Sequence, residues 1–491
     1  MTAGVPRLQS NLWGDSAGKL HNIGSVMTTA TLDPQKQADA ETRFEWPLCY
    51  EAENFILSRM DAFTQQNSFA RTLASRMRDE TGTLLLDWTD YLLLPASDER
   101  ALRETGYTED PLADAPDTQK QFWHPEAMLP RVLIAPTNAK YPLALGIRAE
   151  DLAIFAGVHG VTNPIEGAPL SRFRKMLITE ENGARFEVIE RRAYRGYTTA
   201  EPNLKAYLAA RELWQTRRRV WDDDRAGMKH GLERIEQMVK LVGQDWACHL
   251  VFEEERRYWQ KRNRAGTEQK RRQDSLGLGW ANHDHHTYRS SRECFVDLIR
   301  AWELLGFHRR ERYYAGQEAG WGAQVIEQPV EGIIIFNDVD LNPDEGDVDF
   351  SRKELPSQPT LGTIGLWCGL HGESFLEAGM HHLECRFDFA LLRDQLAGEG
   401  INTMKPFSDF PHLKQAFTEG ERWRVSRDRA ERLRANGSIT DSQFDEFMRN
   451  GAIGSHLENL QRSGGFKGFN QDAVSLIIEE TDPRKQGSRQ F

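Results

Sequence analysis

HDHHTYRSSRECFVDLIRAWELLGF, residues 283–307, and MHHLECRFDFALLRDQLAGEG, residues 380–400, begin alike. Each opens on a histidine pair, reaches an arginine and runs into a segment of helical spacing. His285 stands four residues before Arg289, and His382 four before Arg386. In an extended strand, positions i, i+2 and i+4 share a face. So His285, Thr287 and Arg289 are expected on one side of a strand, and His382, Glu384 and Arg386 on one side of another. In the first copy Phe295, Leu298, Ile299, Trp302 and Leu305 form an apolar helical face. Ser290 and Glu293 fit a capping box, and Gly306 fits the stop. In the second, Asp388 is the expected N-cap, Leu391, Leu392 and Leu396 the apolar face, and Gly398 the stop.

Outward from these passages, RRERYYAG, WGAQVIEQP and GIIIFNDVD read as three strands after the first helix. The second copy is interrupted by helical material, and AVSLIIEE at 473–480 is the expected last strand. The fold class expected is α+β. Residues 273–491 form paired βαβββ units in one cupped sheet with a helical insertion. Residues 41–272 are expected to be mostly helical, with one hairpin around Asn182-Gly183, a pair suited to a tight primed turn. Residues 1–40 read as a flexible tail, and the charged stretch 265–275 as a linker.

One histidine from each copy and a carboxylate on the last strand would put two imidazoles and one anion on one concave face. That set with open positions suits a non-haem Fe(II) centre. His285 and His382 are preferred over His286 and His381, because they keep the four-residue step to arginine. His283 reads as a loop residue before the strand. Glu479 is the expected carboxylate, with Glu480 and Glu327 as alternatives. Arg289 has two readings: a bidentate clamp on a substrate carboxylate, or a structural ion pair.

HHTYR, WELLGF and RYYAG in that order, and HLECRFD at 382–388, resemble the vicinal oxygen chelate superfamily. More narrowly they resemble the 2-oxoadipate dioxygenase/decarboxylase (hydroxyglutarate synthase) family. The resemblance implies Fe(II) held by His285, His382 and a terminal-strand glutamate, with Arg289 on the substrate carboxylate. It implies an oxidoreductase that takes a small 2-oxo acid and O₂, decarboxylating and hydroxylating the acid. The last strand departs from the family pattern, since Glu479-Glu480-Thr481-Asp482-Pro483-Arg484 stands where Glu-x-x-Gln-Arg-Gly is usual. Two rivals share these residues. One is a metal-dependent isomerase or lyase of glyoxalase type; the other is a cup that binds a ligand without catalysis.

The chain of 491 residues carries 62 Lys+Arg against 74 Asp+Glu, a net charge of -12. An acidic balance argues against a nucleic-acid partner, which needs a basic footprint. No apolar run reaches the ~18–20 residues of a membrane helix. The first residues lack a signal-peptide core, so a cytoplasmic setting is expected. Five scattered cysteines, none spaced as Cys-x-x-Cys, fit neither a disulfide scaffold nor a zinc ribbon. GxxxxGK[ST] and HExxH are both missing from the sequence. The sequence does not set the oligomeric state.

Overall fold

The computed structural model describes residues 45–110, 119–199 and 203–485. The tail expected over 1–40 lies outside them.

Two mixed sheets share one connectivity. The second contains β9 (His283–Arg289), β10 (His308–Tyr314), β11 (Trp321–Gln328), β12 (Ile333–Asp340), β13 (His382–Arg386), β14 (Ser408–Phe410), β15 (Leu413–Phe417), β16 (Glu421–Trp423) and β17 (Ala452–Arg462). Its order is β10-β11-β12-β9-β13-β17-β15-β14, with β16 also paired to β17. β9 lies parallel to β12, and β13 parallel to β17. An antiparallel β9–β13 seam joins the two βαβββ units. Crossover helices Phe295–Leu304 and Phe389–Gly398 follow β9 and β13. Asp388 caps the second helix through Leu391 N at 3.1 Å. The capping box expected at Ser290 and Glu293 does not form. Ser290 instead donates to Glu373 at 2.8 Å, and the helix begins at Phe295.

The first sheet contains β1 (Thr89–Leu94), β2 (Thr108–Glu109), β3 (Lys120–Trp123), β4 (Arg131–Ile134), β5 (Leu143–Arg148), β6 (Ile165–Glu166), β7 (Phe173–Glu181) and β8 (Ala184–Arg191). Its order, β2-β3-β4-β1-β5-β8-β7-β6, repeats the second sheet element for element. Helices make up most of the regular structure of 45–272, as expected, yet this sheet runs through them. Only β7 and β8 were legible. Their turn residues Asn182 and Gly183 have φ of 50° and 81°, as a type I′ turn needs. Of the other strands, β1 (TDYLLL) and β4 (RVLI) are short apolar runs that show no period of two, and β2 and β6 span only two residues.

Two sequence readings are corrected. The stretch 265–275 is not a linker: Arg264–Asp274 is a helix capped by Asn263, and it buries Gln269 and Gln273. AVSLIIEE is not a strand: Val474–Glu480 is a helix. Its half-buried Val474 and buried Ile477 and Ile478 have the i, i+3, i+4 spacing of one helical face, while Leu476 points outward. The last strand of the sheet is therefore β17, more than ten residues earlier.

Helices back the second sheet on one face, and the helices Thr363–His371 and Val474–Glu480 bring Ile364, Ile477 and Ile478 to its other, cupped face. The largest core clusters Tyr288, Leu383, Cys385 and Leu457 with Phe252, Trp302 and Phe375 from helices behind the second sheet. Residues of opposite parity are left facing a cup. The halves meet through direct bonds, among them Trp46 Nε1 to Glu311 at 3.0 Å and Gly464 N to Glu53 at 2.8 Å. No helix among the described residues is long and apolar enough to cross a membrane.

Candidate metal centre

Strand register assembles the cup. His285 lies opposite Glu384, and Glu384 opposite Glu458, a row across β9, β13 and β17. His382 lies opposite Thr287 on one side and His456 on the other. One donor atom each from His285, Glu384 and Glu458 lies within 4.8 Å of the others, and all three residues are buried. His285 Nε2 points directly at the Glu384 carboxylate. His382 Nε2 stands 3.8 Å from Glu384 Oε1.

The surroundings fix these groups. Asp284 is the extra residue where the β9–β13 register slips, since Glu384 faces His285 and Cys385 faces His283. Such a bulge re-aims side chains. It brings Asp284 Oδ1 to 3.0 Å from His285 Nδ1. A carboxylate there keeps the proton on Nδ1 and leaves the Nε2 lone pair for a metal. Arg462, at the end of β17, grips Asp284 with two bonds of 2.9 and 3.2 Å. Burial works to raise the Asp284 carboxyl, and Arg462 and His285 outweigh it and hold it below the usual range. Gln415 donates to Glu458 Oε1 at 2.9 Å. Phe336 packs on the His285 ring at 4.8 Å between centroids, and Phe417 stacks on His382 at 4.6 Å.

Burial lowers His285 to about 4 and lowers His382 well below its ordinary value, so both rings are neutral. Burial raises the Glu458 carboxyl well above the ordinary range, with Arg462 pulling the other way. His382 Nδ1 is buried without a hydrogen-bond partner. Neutral imidazoles, two carboxylates and a bare buried nitrogen are a set that a divalent cation would satisfy, because buried charges need a partner or a metal.

Of the residues singled out in the sequence, the fold gathers His285 and His382 and excludes the carboxylates. Glu479 lies on the outer side of the helix Val474–Glu480, with its side chain 65% exposed and paired to Lys485. Glu480 is exposed beside it. Glu327 sits on β11, 3.5 Å from Arg310, away from the cup. Ile477 and Ile478 of that same helix close over the cup with Phe469 and Phe407, leaving a cavity of about 50 Å³. His286 points to the opposite face, against Phe252. Sequence reasoning missed Glu384 as a donor, and Glu458 altogether. One signal was available: His-Leu-Glu occurs at 382–384 and again at 456–458, and the two triplets pair in parallel.

Arg289 is fully buried on the cup strand. Among the described residues its guanidinium makes one hydrogen bond, from Nη2 to Thr481 Oγ1 at 3.4 Å, while Nε and Nη1 have no partner. It pairs in register with Asp338, whose carboxyl burial raises to about 7 against the pull of Arg289.

No family model matches the chain, and no curated protein does. Among solved structures it is similar to a triple mutant of 4-hydroxymandelate synthase from Streptomyces coelicolor. That match has 10% identity and a TM-score of 0.27, covering 80% of this chain and 98% of that one. It is also similar to methylmalonyl-CoA epimerase from Mycobacterium tuberculosis, at 13% identity and a TM-score of 0.21, covering 37% and 89%. A xylose isomerase-like TIM barrel/4-hydroxyphenylpyruvate dioxygenase fusion protein matches at 8% identity and a TM-score of 0.23, covering 82% and 52%. Likenesses this remote carry no argument about chemistry. The fold rests on strand order and register.

Proposed function

We propose that the second cup is the Fe(II) site of a dioxygenase acting on a small 2-oxo acid. The observation that carries this reading is the convergence of His285, His382, Glu384 and Glu458 in a buried, aromatic-walled cup. The resemblance of HHTYR and HLECRFD to the 2-oxoadipate dioxygenase/decarboxylase family supports it. His285, His382 and Glu458 would hold the metal, Glu458 taking the place expected of Glu479. Bound iron would supply a Lewis acid for the 2-oxo acid and a redox centre for O₂.

The chain's own groups do the rest. Asp284 holds the His285 proton at Nδ1, and Gln415 fixes the Glu458 carboxylate. Arg289, with two bare donors on a cup strand, would receive the substrate carboxylate bidentately. Phe336, Phe417 and Phe469, with Ile477 and Ile478, exclude water from the cup. Anaerobic Fe(II) titration followed by O₂-uptake measurements over a panel of 2-oxo acids tests this. One iron per chain, lost in His285→Ala and His382→Ala, is expected; unchanged metal content in both variants rejects the site.

A second reading is a metal-dependent isomerase or lyase. Glu384 favours it, since a second carboxylate beside the donors is suited to carrying a proton. Turnover without O₂ would select it.

A further inference from the structure

A second built site lies where the two halves meet. A cavity of about 80 Å³ is enclosed by the end of β5, the segment after β8, the helix Gln244–Gln260, the approach to β9 and the β11–β12 turn. It shares no wall residue with the metal cup.

Its charges do not balance. Glu331 is engaged by His249 Nδ1 at 2.7 Å and by Ala193 N at 2.6 Å. Glu150 pairs with Lys270 at 3.2 Å, and Glu253 with Arg257 at 2.7 Å. Arg148 and Arg191 both pair with Asp90, at 2.7 and 2.8 Å. Arg256 is left over. It is 8% exposed, and among the described residues no hydrogen bond or ion pair reaches it; its Nη1 is fully buried and bare. Trp280, 4% exposed, turns an indole N–H without an acceptor into the same wall. His249 Nε2 is bare as well. Glu331 and Glu150 act on Arg256 through space, yet each is held by another partner; a buried guanidinium without an ion pair of its own is expensive, and its planar fork fits a carboxylate or a phosphate.

We propose that this junction cavity binds a small oxyanion, a carboxylate or phosphate group held by Arg256 with the Trp280 indole N–H beside it. His249 lines the same cavity, and its bare Nε2 is a further polar atom for such a ligand. The space holds a group of this size and not a nucleotide. The site does not depend on the metal reading. His283, on its wall, and His285, in the cup, are two residues apart on β9, so the two sites share one strand.

Thermal unfolding and calorimetric titration of the full chain with inorganic phosphate and with malonate test the proposal, using chloride at matched ionic strength as reference. One or both anions should raise Tm in a saturable way. Arg256→Met should abolish the shift, and Trp280→Phe should weaken binding about 3- to 10-fold, the order expected for one hydrogen bond. The response should persist in His285→Ala, which separates this cavity from the cup. A response to phosphate alone or malonate alone assigns the ligand class. No shift beyond chloride, or an undiminished shift in Arg256→Met, overturns the proposal. If Arg256→Met does not fold, unchanged affinity in Trp280→Phe overturns it.

Discussion

Tyr91, Gly146 and Glu187 form a row across three strands of the first sheet, as His285, Glu384 and Glu458 do in the second. In the first row the groups satisfy one another. The Tyr91 hydroxyl donates to Glu187, and Arg185 holds the other carboxylate oxygen at 3.0 Å. Position 146 must be glycine, because a Cβ there would come within 2.5 Å of the Tyr91 ring. Tyr197 closes over Tyr91 at 5.4 Å. In the second row the groups are metal-type donors turned on one another, with His382 Nδ1 beside them bare. One connectivity thus yields a filled cup and a cup built for an occupant. What separates them is whether buried polar groups find partners inside the chain.

The contrast is sharpest in metal binding. Glu458→Ala should remove stoichiometric Fe(II) binding, while Glu187→Ala should leave it intact; metal analysis of both proteins checks this, and equal loss would erase the distinction. The next largest effect is on pH dependence. Burial raises the Asp338 carboxyl to about 7, against 3.8 when free, while Arg289 opposes the rise. A raised carboxyl stabilises the fold below its unfolded pKa, and that contribution is lost as pH rises from about 4 through about 7. The loss is up to about 4 kcal/mol. Asp90 in the first half behaves oppositely. Burial would raise it, but Arg191 and Arg148 hold it well below the ordinary range, so its contribution is lost on acidification below about 4. Urea midpoints of metal-free Asp338→Asn between pH 4 and pH 8 should show a flattened slope; a slope identical to the parent would refute the assignment.

A smaller effect is expected within the filled cup. Tyr91→Phe takes a donor from a buried carboxylate and should cost about 1–3 kcal/mol in denaturant unfolding, without changing metal content. The smallest is Glu479→Ala. An exposed side chain paired to Lys485 should contribute within about 0.5 kcal/mol, and iron binding should be unchanged. Loss of iron in that variant would restore the carboxylate first read from the sequence.

Much of the second sheet was legible because its signals are local. The four-residue step from histidine to arginine and the helical faces after it each lie within one element, as the Asn182-Gly183 turn of the first sheet lies within one hairpin. The carboxylates of the cup were not legible in the same way. AVSLIIEE is a short apolar run that fits either a strand or a helix, and its terminal glutamates drew the reading to the wrong element. β17 is polar for a last strand, and the helices 427–435 and 441–450 stand before it. The first sheet was hidden for a related reason. β2 and β6 are two residues long, and the longer β1 and β5 are too uniformly apolar to show alternation.

By itself the sequence determined the βαβ starts, the faces of their helices, the tight hairpin and the two histidines of the cup. Those follow from periods of 2 and 3.6 and from turn chemistry, which act over a few residues. Tertiary structure alone decided that the first half repeats the second and that β17 pairs in parallel with β13. It also decided that Glu384 and Glu458 join the histidines in the cup and that Arg256 is left without a direct ion pair. These depend on register and burial between segments far apart in sequence. Whether a buried group is satisfied is a property of its neighbours in space.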